Sequence, residues 1–480
     1  MKQSNIFLKI LNKNIVSSPL KKALVSADKE FTWEELYNFA EKHSLFIAAN
    51  FSETDFVPLL ISNPFDFVTA VYTIWLSGKV VVPINPLLPI MEIEEILSKT
   101  KTTGIITDNL TAIKELQNNY EILRWDSDNN SDFYRKEKSK SVPIKNSCDN
   151  ALILFTSGST GFPKGVIISF SNLLANVRAI ENLLSLSNRI SWMASLPLFH
   201  IGGFAIIFRA LHSCSTLYLP ESFSSTDVIN SLLQFHPSLF SVVSTTLRRI
   251  IDEVNPYNEL KAVFAGGGPI SGNLMKAAID KGFPVYKVYG STETTSMISV
   301  LKPDEVNISP ESAGKILDGI EVEIQNPDSK RVGEICVKGK QISQGYFSQS
   351  DKEVRSSYDE FFCTGDLGFV DSNGFLNIVG RKSAFIISGG ENINLNKVKK
   401  SLLSFPDITD AEAFGMPDEK WGEKLVAVVV ATKKINLYEL KTYLKSYLSA
   451  FEIPKEVKQV DFIPKTALGK NEIRKLKEQF

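Results

Sequence analysis

Apolar runs of strand length recur at residues 56–62, 104–107, 194–198, 285–288 and 425–431, and segments of helical period lie between them at 67–77, 172–184 and 437–448. This alternation predicts α/β layers built on mainly parallel strands. From about residue 312 the pattern shifts to short alternating segments bounded by turn residues, at 320–324, 333–338 and 374–379, and predicts a small barrel-like sheet. It shifts again after Arg381, to strand, helix, strand, helix and a lysine-rich tail, the mark of a compact α+β unit. The expected fold class is α/β: a large N-terminal domain of layered α/β subdomains plus the small sheet, residues 1–382, then a small mobile α+β C-terminal domain, residues 383–480. The polar run 126–144 reads as a surface connection. The first 22 residues interleave lysines with apolar side chains and predict a short amphipathic helix rather than a signal peptide. The most apolar stretch, 67–78, is followed by Lys79 and falls short of the roughly 20 residues that a membrane span needs.

Composition narrows the partners. A chain of 480 residues with 43% apolar positions exceeds what one core supports, so two or more domains are expected. A net charge of −1 leaves no electrostatic footprint for nucleic acid or for an anionic membrane, and neither is expected as a partner. The cysteines, Cys148, Cys214, Cys336 and Cys363, are widely spaced without a C-x-x-C pair. Neither a metal site nor a disulfide is expected of them, and a reducing cytoplasm fits best.

The stretch 151–169, ALILFTSGSTGFPKGVIIS, joins two apolar strands through a loop of hydroxyls and glycines. Gly158, Gly161 and Gly165 let backbone N–H groups approach an anion, Thr156, Ser157, Ser159 and Thr160 add hydroxyl donors, and Lys164 adds charge. A plain hairpin turn spans roughly 2–5 residues, and this loop is longer, which favours a phosphate site. It is not a Walker loop: Pro163 precedes the lysine, Gly165 follows it, and Val166-Ile167-Ile168 favours a strand over a helix start.

Four further motifs each admit a plain structural explanation. Tyr289-Gly290-Ser291-Thr292-Glu293-Thr294 follows a strand and suits a nucleotide at the carboxyl edge of a parallel sheet, or else caps a helix with Glu293 in its first turn. Gly266-Gly267-Gly268 leaves room for a flat ligand or for close backbone packing. Asp366, in Thr364-Gly365-Asp366, could accept from a diol or close a turn. Lys470, in Pro464-Lys465-Thr466-Ala467-Leu468-Gly469-Lys470, stands in a tail whose other lysines read as solvated.

Taken in this order, the motifs resemble those of the adenylate-forming superfamily of acyl-CoA synthetases, peptide-synthetase adenylation domains and beetle luciferases. The resemblance extends over nearly the whole chain. It implies ATP, Mg2+ and CoA as cofactors, with the loop from Thr156 to Lys164 on the departing phosphates. It places Gly266, Gly267, Gly268, Tyr289 and Gly290 around the adenine, Thr292 on the α-phosphate and Glu293 on magnesium. Asp366 and Arg381 fall on the ribose, and Lys470 becomes the lysine that assists attack of a carboxylate on the α-phosphorus. It further implies a C-terminal domain that pivots at Ser383 and brings Gly389 and Gly390 to the pantetheine arm. Ala384, Leu395, Lys397, Lys399 and a late Arg474 depart from the superfamily pattern and put the thioester face in doubt.

The segment Leu196-Pro197-Leu198-Phe199-His200-Ile201-Gly202-Gly203 resembles the acyl-pocket wall, with His200, Gly203 and Ser291 as substrate contacts. Within the superfamily the chain looks most like the o-succinylbenzoate–CoA ligases of menaquinone biosynthesis, an assignment that gives a dicarboxylic substrate. Arg209 is then the candidate cation for the second carboxylate, set against an ordinary helix arginine. A medium-chain or aryl acyl-CoA synthetase, a carrier-protein-loading domain and a non-catalytic nucleotide-binding or acyl-binding protein are the alternatives, and a homodimer stays open.

Overall fold

A computed structural model describes residues 6–88, 90–127, 149–156, 164–185, 190–268, 270–347, 360–388, 391–418, 422–448, 452–465, 471–478 and 480. Two large sheets carry the N-terminal part. In the nine-stranded sheet, Lys22–Val25, Thr216–Tyr218, Ser191–Met193, Leu239–Val242, Ala262–Ala265 and Val285–Ser291 lie side by side and parallel, with antiparallel strands at both edges. In the seven-stranded sheet, Asn150–Thr156, Val80–Pro83, Phe56–Leu60, Gly104–Thr107 and Glu121–Arg124 are parallel, and Lys164–Ser169 and Gly345–Phe347 extend one edge antiparallel. A four-stranded sheet contains Ile320–Gln325, Gly333–Gly339, Phe362–Val370 and Leu376–Arg381 in that order. The architecture is the expected α/β class.

The apolar stretch that was too short for a membrane is a core helix, Pro64–Leu76, buried at nearly every position. Asn63 caps it by accepting from Phe65 and Asp66 N–H, and Pro64 occupies the first turn, where its missing donor is harmless. Trp75 packs against the rings of Phe7, Phe170, Phe204 and Phe208 at centroid distances of 5.3 to 6.3 Å. Its indole N–H donates to Ala151 O at 2.9 Å and fixes this core helix to the strand Asn150–Thr156. The N-terminal helix, Ile6–Ser17, buries Phe7, Leu11 and Asn14, as its amphipathic pattern predicts. Among the described residues, no helix is long and apolar enough to cross a membrane.

Contacts divide the chain into two compact units, one comprising Met1–Glu323, Val337–Phe362 and Val370–Asn377 and the other Ile324–Cys336, Cys363–Phe369 and Ile378–Phe480. The second contains a sheet in the order Glu391–Asn394, Phe385–Ser388, Gly422–Ala431, Ile408–Asp418, with Glu456–Gln459 parallel to Gly422–Ala431. Helices Leu395–Leu403 and Leu437–Leu444 bury Val398, Leu402, Leu440 and Leu444 in the same cluster as Leu425 and Val429 of that sheet.

Two expectations are corrected. The strand expected at 194–198 lies earlier, at Ser191–Met193. Ser195 ends it: the hydroxyl donates to Ser241 O and accepts from Ser241 N–H, so a side chain replaces the backbone in the ladder, and Pro197 has no N–H to resume it. The second correction is a disulfide, Cys336–Cys363, between neighbouring strands of the four-stranded sheet. Its separation of 27 residues forms no motif, and only the strand pairing brings the thiols together. Closing a loop of this size constrains the unfolded chain by about 3 kcal/mol. Reduction is therefore expected to lower the thermal unfolding midpoint of the native chain but not that of a Cys336→Ser, Cys363→Ser double variant, which should match the reduced native protein.

Candidate active site

The two arms that flank the candidate phosphate segment are both strands, as the β-branched second arm predicts. Asn150–Thr156 pairs antiparallel with Lys164–Ser169, with Thr156 opposite Lys164, and the Thr156 hydroxyl donates to Lys164 O at 3.4 Å. Ser157, Gly158, Ser159, Thr160 and Gly161 lie outside the described residues. Ser169 ends the second arm and caps the helix Phe170–Leu184, with Asn172 answering it in a capping box. The Asn172 amide then donates to Lys340 O at 2.8 Å and Ile342 O at 2.9 Å, which fixes the chain leading to Gly345–Phe347.

At the carboxyl edge of the nine-stranded sheet, Ala265 stands opposite Lys287 in parallel register, so the Gly266–Gly268 turn leaves one strand beside the end of the next, where Tyr289 lies. Burial pushes the Lys287 ammonium below its ordinary value, Glu311 opposes this, and its Nζ donates to Glu311 O at 3.1 Å. Gly290 has no room for a side chain, since a Cβ would sit 1.9 Å from Ser296 O. The helix-cap alternative for this motif is excluded. Residues 292–295 form a turn into the antiparallel strand Ser296–Leu301, with Ser291 opposite Ser296. Ser291 N–H donates to the Thr294 hydroxyl at 2.8 Å, and that hydroxyl donates to Ser296 O at 2.8 Å. Thr295 and Ser296 take φ of 50° and 82°, a strained region for residues with a Cβ, at a cost of about 1–3 kcal/mol each.

Glu293 projects from this turn. Its Oε1 accepts from the Tyr346 hydroxyl at 3.0 Å, and its carbonyl accepts from Ser343 N–H at 2.8 Å. Lys164 Nζ lies 5.5 Å from the centroid of the Tyr346 ring. The structure thus brings Lys164 and Glu293, which are 129 residues apart in sequence, onto one aromatic side chain. Sequence reasoning missed Tyr346, whose Gly-Tyr-Phe context looks like any edge strand. It also missed Gln341, which is buried and whose amide donates to Thr294 O at 3.2 Å and Met297 O at 2.8 Å across the hairpin.

His200 is exposed at the start of the helix Ile201–His212, its ring 4.7 Å from that of Phe199. Gly203 sits where a Cβ would meet Pro197 O at 2.3 Å, so glycine lets the helix start close against the preceding turn. Arg209 is buried on the same helix. Its Nη2 donates to Asn176 Oδ1 at 2.8 Å and Ser296 Oγ at 3.2 Å, and the guanidinium carbon lies 5.7 Å from the centre of the Trp192 ring. Nε and Nη1 have no hydrogen-bond partner among the described residues, and a cavity of about 10 Å³ bordered by Trp192, Glu181 and Ser213 lies beside the group. Burial pushes this guanidinium down to about 9, above neutrality, so the charge is retained. The buried Ser291 hydroxyl is also without a partner there.

In the second unit, Arg381 Nε pairs with Asp366 Oδ1 at 2.8 Å, with Asp366 buried and Arg381 exposed. The Thr364 hydroxyl donates to Ile335 O at 2.9 Å and accepts from Asp366 N–H at 3.1 Å, which sets the turn that presents the carboxylate. Thr292 belongs to the Glu293 turn, and Ser383 to the short 3-10 turn Lys382–Ala384. Gly389, Gly390 and Lys470 lie outside the described residues. The segments beside them are anchored: Ser388 pairs with Glu391, Lys465 Nζ meets Asp410 at 2.8 Å, and Asn471 Nδ2 donates to Glu412 Oε2 at 2.5 Å. The departures at Lys397 and Lys399 are compensated locally, by Glu452 at 2.5 Å and Glu412 at 2.8 Å.

Among the described residues, no cluster of three or more His, Cys, Asp or Glu side chains could hold a metal alone. One hard carboxylate, Glu293, fits magnesium delivered with nucleotide phosphates, the usual arrangement for an ion that keeps few protein ligands.

The model of the AMP-binding enzyme family matches residues 11–347, and that of the AMP-binding enzyme C-terminal domain matches 397–470. The 2-succinylbenzoate–CoA ligase of Bacillus subtilis (strain 168) is 31% identical over 462 residues, 94% of each chain. The o-succinylbenzoate CoA synthetase of Bacillus subtilis in complex with the acyl-adenylate intermediate OSB-AMP superposes with a TM-score of 0.86 at 31% identity, covering 99% of this chain and 98% of that one. The same enzyme with ATP and a magnesium ion gives 0.85 at 30% identity, covering 98% and 99%. The chain belongs to the AMP-binding enzyme family and stands there with the 2-succinylbenzoate–CoA ligases.

Proposed function

We propose that this protein joins o-succinylbenzoate to CoA at the expense of ATP, by way of an acyl-adenylate, as a step of menaquinone biosynthesis. It is an AMP-forming acid–thiol ligase. The observation that carries the choice of acid is similarity over 94% of the chain to a 2-succinylbenzoate–CoA ligase. Arg209 supports it, as a buried cation with donors to spare on the helix that His200 begins.

The acid's carboxylate attacks the α-phosphorus, pyrophosphate leaves, and the thiol of CoA then displaces AMP. The residues answer a problem of charge, because an anion must approach an anion. Lys164 and the hydroxyls of residues 156–160 hold the departing phosphates. Thr292 orients the α-phosphate, and Tyr289, Gly290 and the Gly266–Gly268 turn take the adenine. Asp366, aligned by Arg381, accepts from the ribose hydroxyls. Bound at Glu293, magnesium neutralises phosphate charge. Lys470 donates to the charge developing at the α-phosphate. His200, Gly203 and Ser291 line the acid's pocket, and Arg209 supplies potential for its second carboxylate.

In this proposal residues 383–480 turn about Ser383 between the two steps and bring Gly389 and Gly390 to the pantetheine arm. We place the activity in the cytoplasm, where ATP and CoA are pooled. The test is pyrophosphate release over a panel of acids, with and without CoA. The expected result is a signal for o-succinylbenzoate well above those for benzoate and octanoate, with thioester formed only when CoA is present. Equal signals would remove the choice of acid, and transfer to a phosphopantetheinyl protein in preference to CoA would replace the acceptor. No release with any acid would remove the ligase itself.

A further inference from the structure

We propose that Tyr346 is a positioning residue for nucleotide and metal, one side chain that sets the geometry of both Glu293 and Lys164. The proposal rests on the adenylation reading above. Its observations all fall within one compact unit: the Tyr346 hydroxyl donates to Glu293 Oε1 at 3.0 Å, and Lys164 Nζ stands 5.5 Å from the centroid of the same ring.

Backbone geometry fixes the arrangement from both sides. Tyr346 pairs with Val166 across the antiparallel strands Gly345–Phe347 and Lys164–Ser169, so its ring is carried by the second arm of the phosphate hairpin. Glu293 is held independently, through Ser343 N–H on its carbonyl and the Gln341 amide on Thr294 O. A glutamate side chain on a turn has several rotamers. A hydroxyl that occupies one carboxylate oxygen selects among them and leaves the other oxygen to a cation. The donor is neutral, so it brings no opposing charge beside the carboxylate, as a lysine in its place would. The ring face meanwhile holds the Lys164 ammonium by cation–π attraction, at a distance where such contacts are significant. The lysine is thus kept from forming an ion pair with Glu293, which would silence both groups. Tyr346 separates an acid from a base that each need a different partner on the nucleotide.

An outer partner of a metal ligand typically accounts for about 10–100-fold in metal affinity. Tyr346→Phe removes the hydroxyl and keeps the ring, and Tyr346→Leu removes both. The readout is binding, with Mn2+ titrated into protein saturated with α,β-methylene-ATP and followed by electron paramagnetic resonance. Metal-free binding of the same analogue is measured by calorimetry. We expect Tyr346→Phe to weaken Mn2+ about tenfold while leaving metal-free nucleotide binding unchanged, and Tyr346→Leu to weaken both. Glu293→Gln completes a cycle: Tyr346→Phe should add nothing to the metal affinity of that variant. An unchanged Mn2+ affinity in Tyr346→Phe, or an equal further loss on top of Glu293→Gln, overturns the assignment. If the wild-type protein binds no Mn2+ with the analogue, the adenylation reading fails instead; if it does and Tyr346→Phe matches it, only the role of Tyr346 fails.

Discussion

Lys470→Ala is expected to abolish the first half-reaction and spare the second. Pyrophosphate release from ATP and acid should fall about 10²–10³-fold, the scale of removing one donor from a developing oxyanion. Presynthesised acyl-adenylate should still be converted to thioester by CoA at a rate near that of the wild-type enzyme. The asymmetry follows from charge. In the first step a carboxylate approaches a phosphate that is already anionic, and a cation placed there lowers the barrier more than it stabilises bound substrate. In the second step the attacked carbon is a neutral carbonyl and AMP leaves with its charge already formed, so that lysine has nothing left to offset. The described segments on either side of residues 466–470 are anchored. Lys465 is held by Asp410 and Asn471 by Glu412, two residues apart on the strand Ile408–Asp418, and Glu472 N–H donates to Pro464 O at 2.8 Å. The measurement is pyrophosphate exchange beside single-turnover thioester formation. Equal loss in both would remove the proposed exchange of faces about Ser383.

Much of this was legible in the sequence because it is local. A strand, a loop of hydroxyls and glycines and a second β-branched strand announce themselves within the stretch 151–169, and the observed pairing of Thr156 with Lys164 adds only the register. The helix at 67–77 and the strands at 56–62 and 104–107 follow from period alone, and the structure moves their ends by a residue or a few. What was illegible is long-range. Tyr346 reaches Glu293 across 53 residues from a strand of the other large sheet, and Cys336 reaches Cys363 across 27 through neighbouring strands, and no periodicity encodes either. The pairing of Cys336 with Cys363 was missed in the sequence for the same reason.

Other features that the pattern does not encode come from side chains that compete with the backbone or pair over a distance. Ser195 stops a strand that its apolar neighbours would continue, and the Thr294 hydroxyl turns the chain back after Ser291 where a capped helix was the plain alternative. Lys397 and Lys399, which depart from the superfamily pattern, pair with Glu452 and Glu412, 55 and 13 residues away. On the helix Leu395–Leu403 both lysines are thus held by carboxylates of their own unit.

Arg209→Met is expected to separate specificity from stability. Kcat/KM for o-succinylbenzoate should fall about 30-fold while that for benzoate changes little, and the thermal midpoint should hold or rise. The first part is electrostatic: at an effective dielectric of about 20, a unit charge about 8 Å from a carboxylate contributes about 2 kcal/mol, without direct contact. Direct contact is not required, because Nη2 is already engaged by Asn176 and Ser296, and Ser296 is the strand partner of the proposed pocket residue Ser291. The second part follows from burial. A guanidinium 1% exposed has lost its hydration, and no carboxylate pairs with it among the described residues, so replacing it with an apolar side chain of similar length removes a desolvation penalty. The same substitution leaves Asn176 Oδ1 unpaired, a cost of about 1–3 kcal/mol that the removed desolvation penalty is expected to offset, and an arginine kept only for packing would leave the preference between acids unchanged. Steady-state kinetics on the two acids, beside calorimetric unfolding of both proteins, distinguish the cases. A lower midpoint with an unchanged ratio of kcat/KM values would show Arg209 to be an ordinary buried arginine and would leave the second carboxylate to be recognised elsewhere in the pocket.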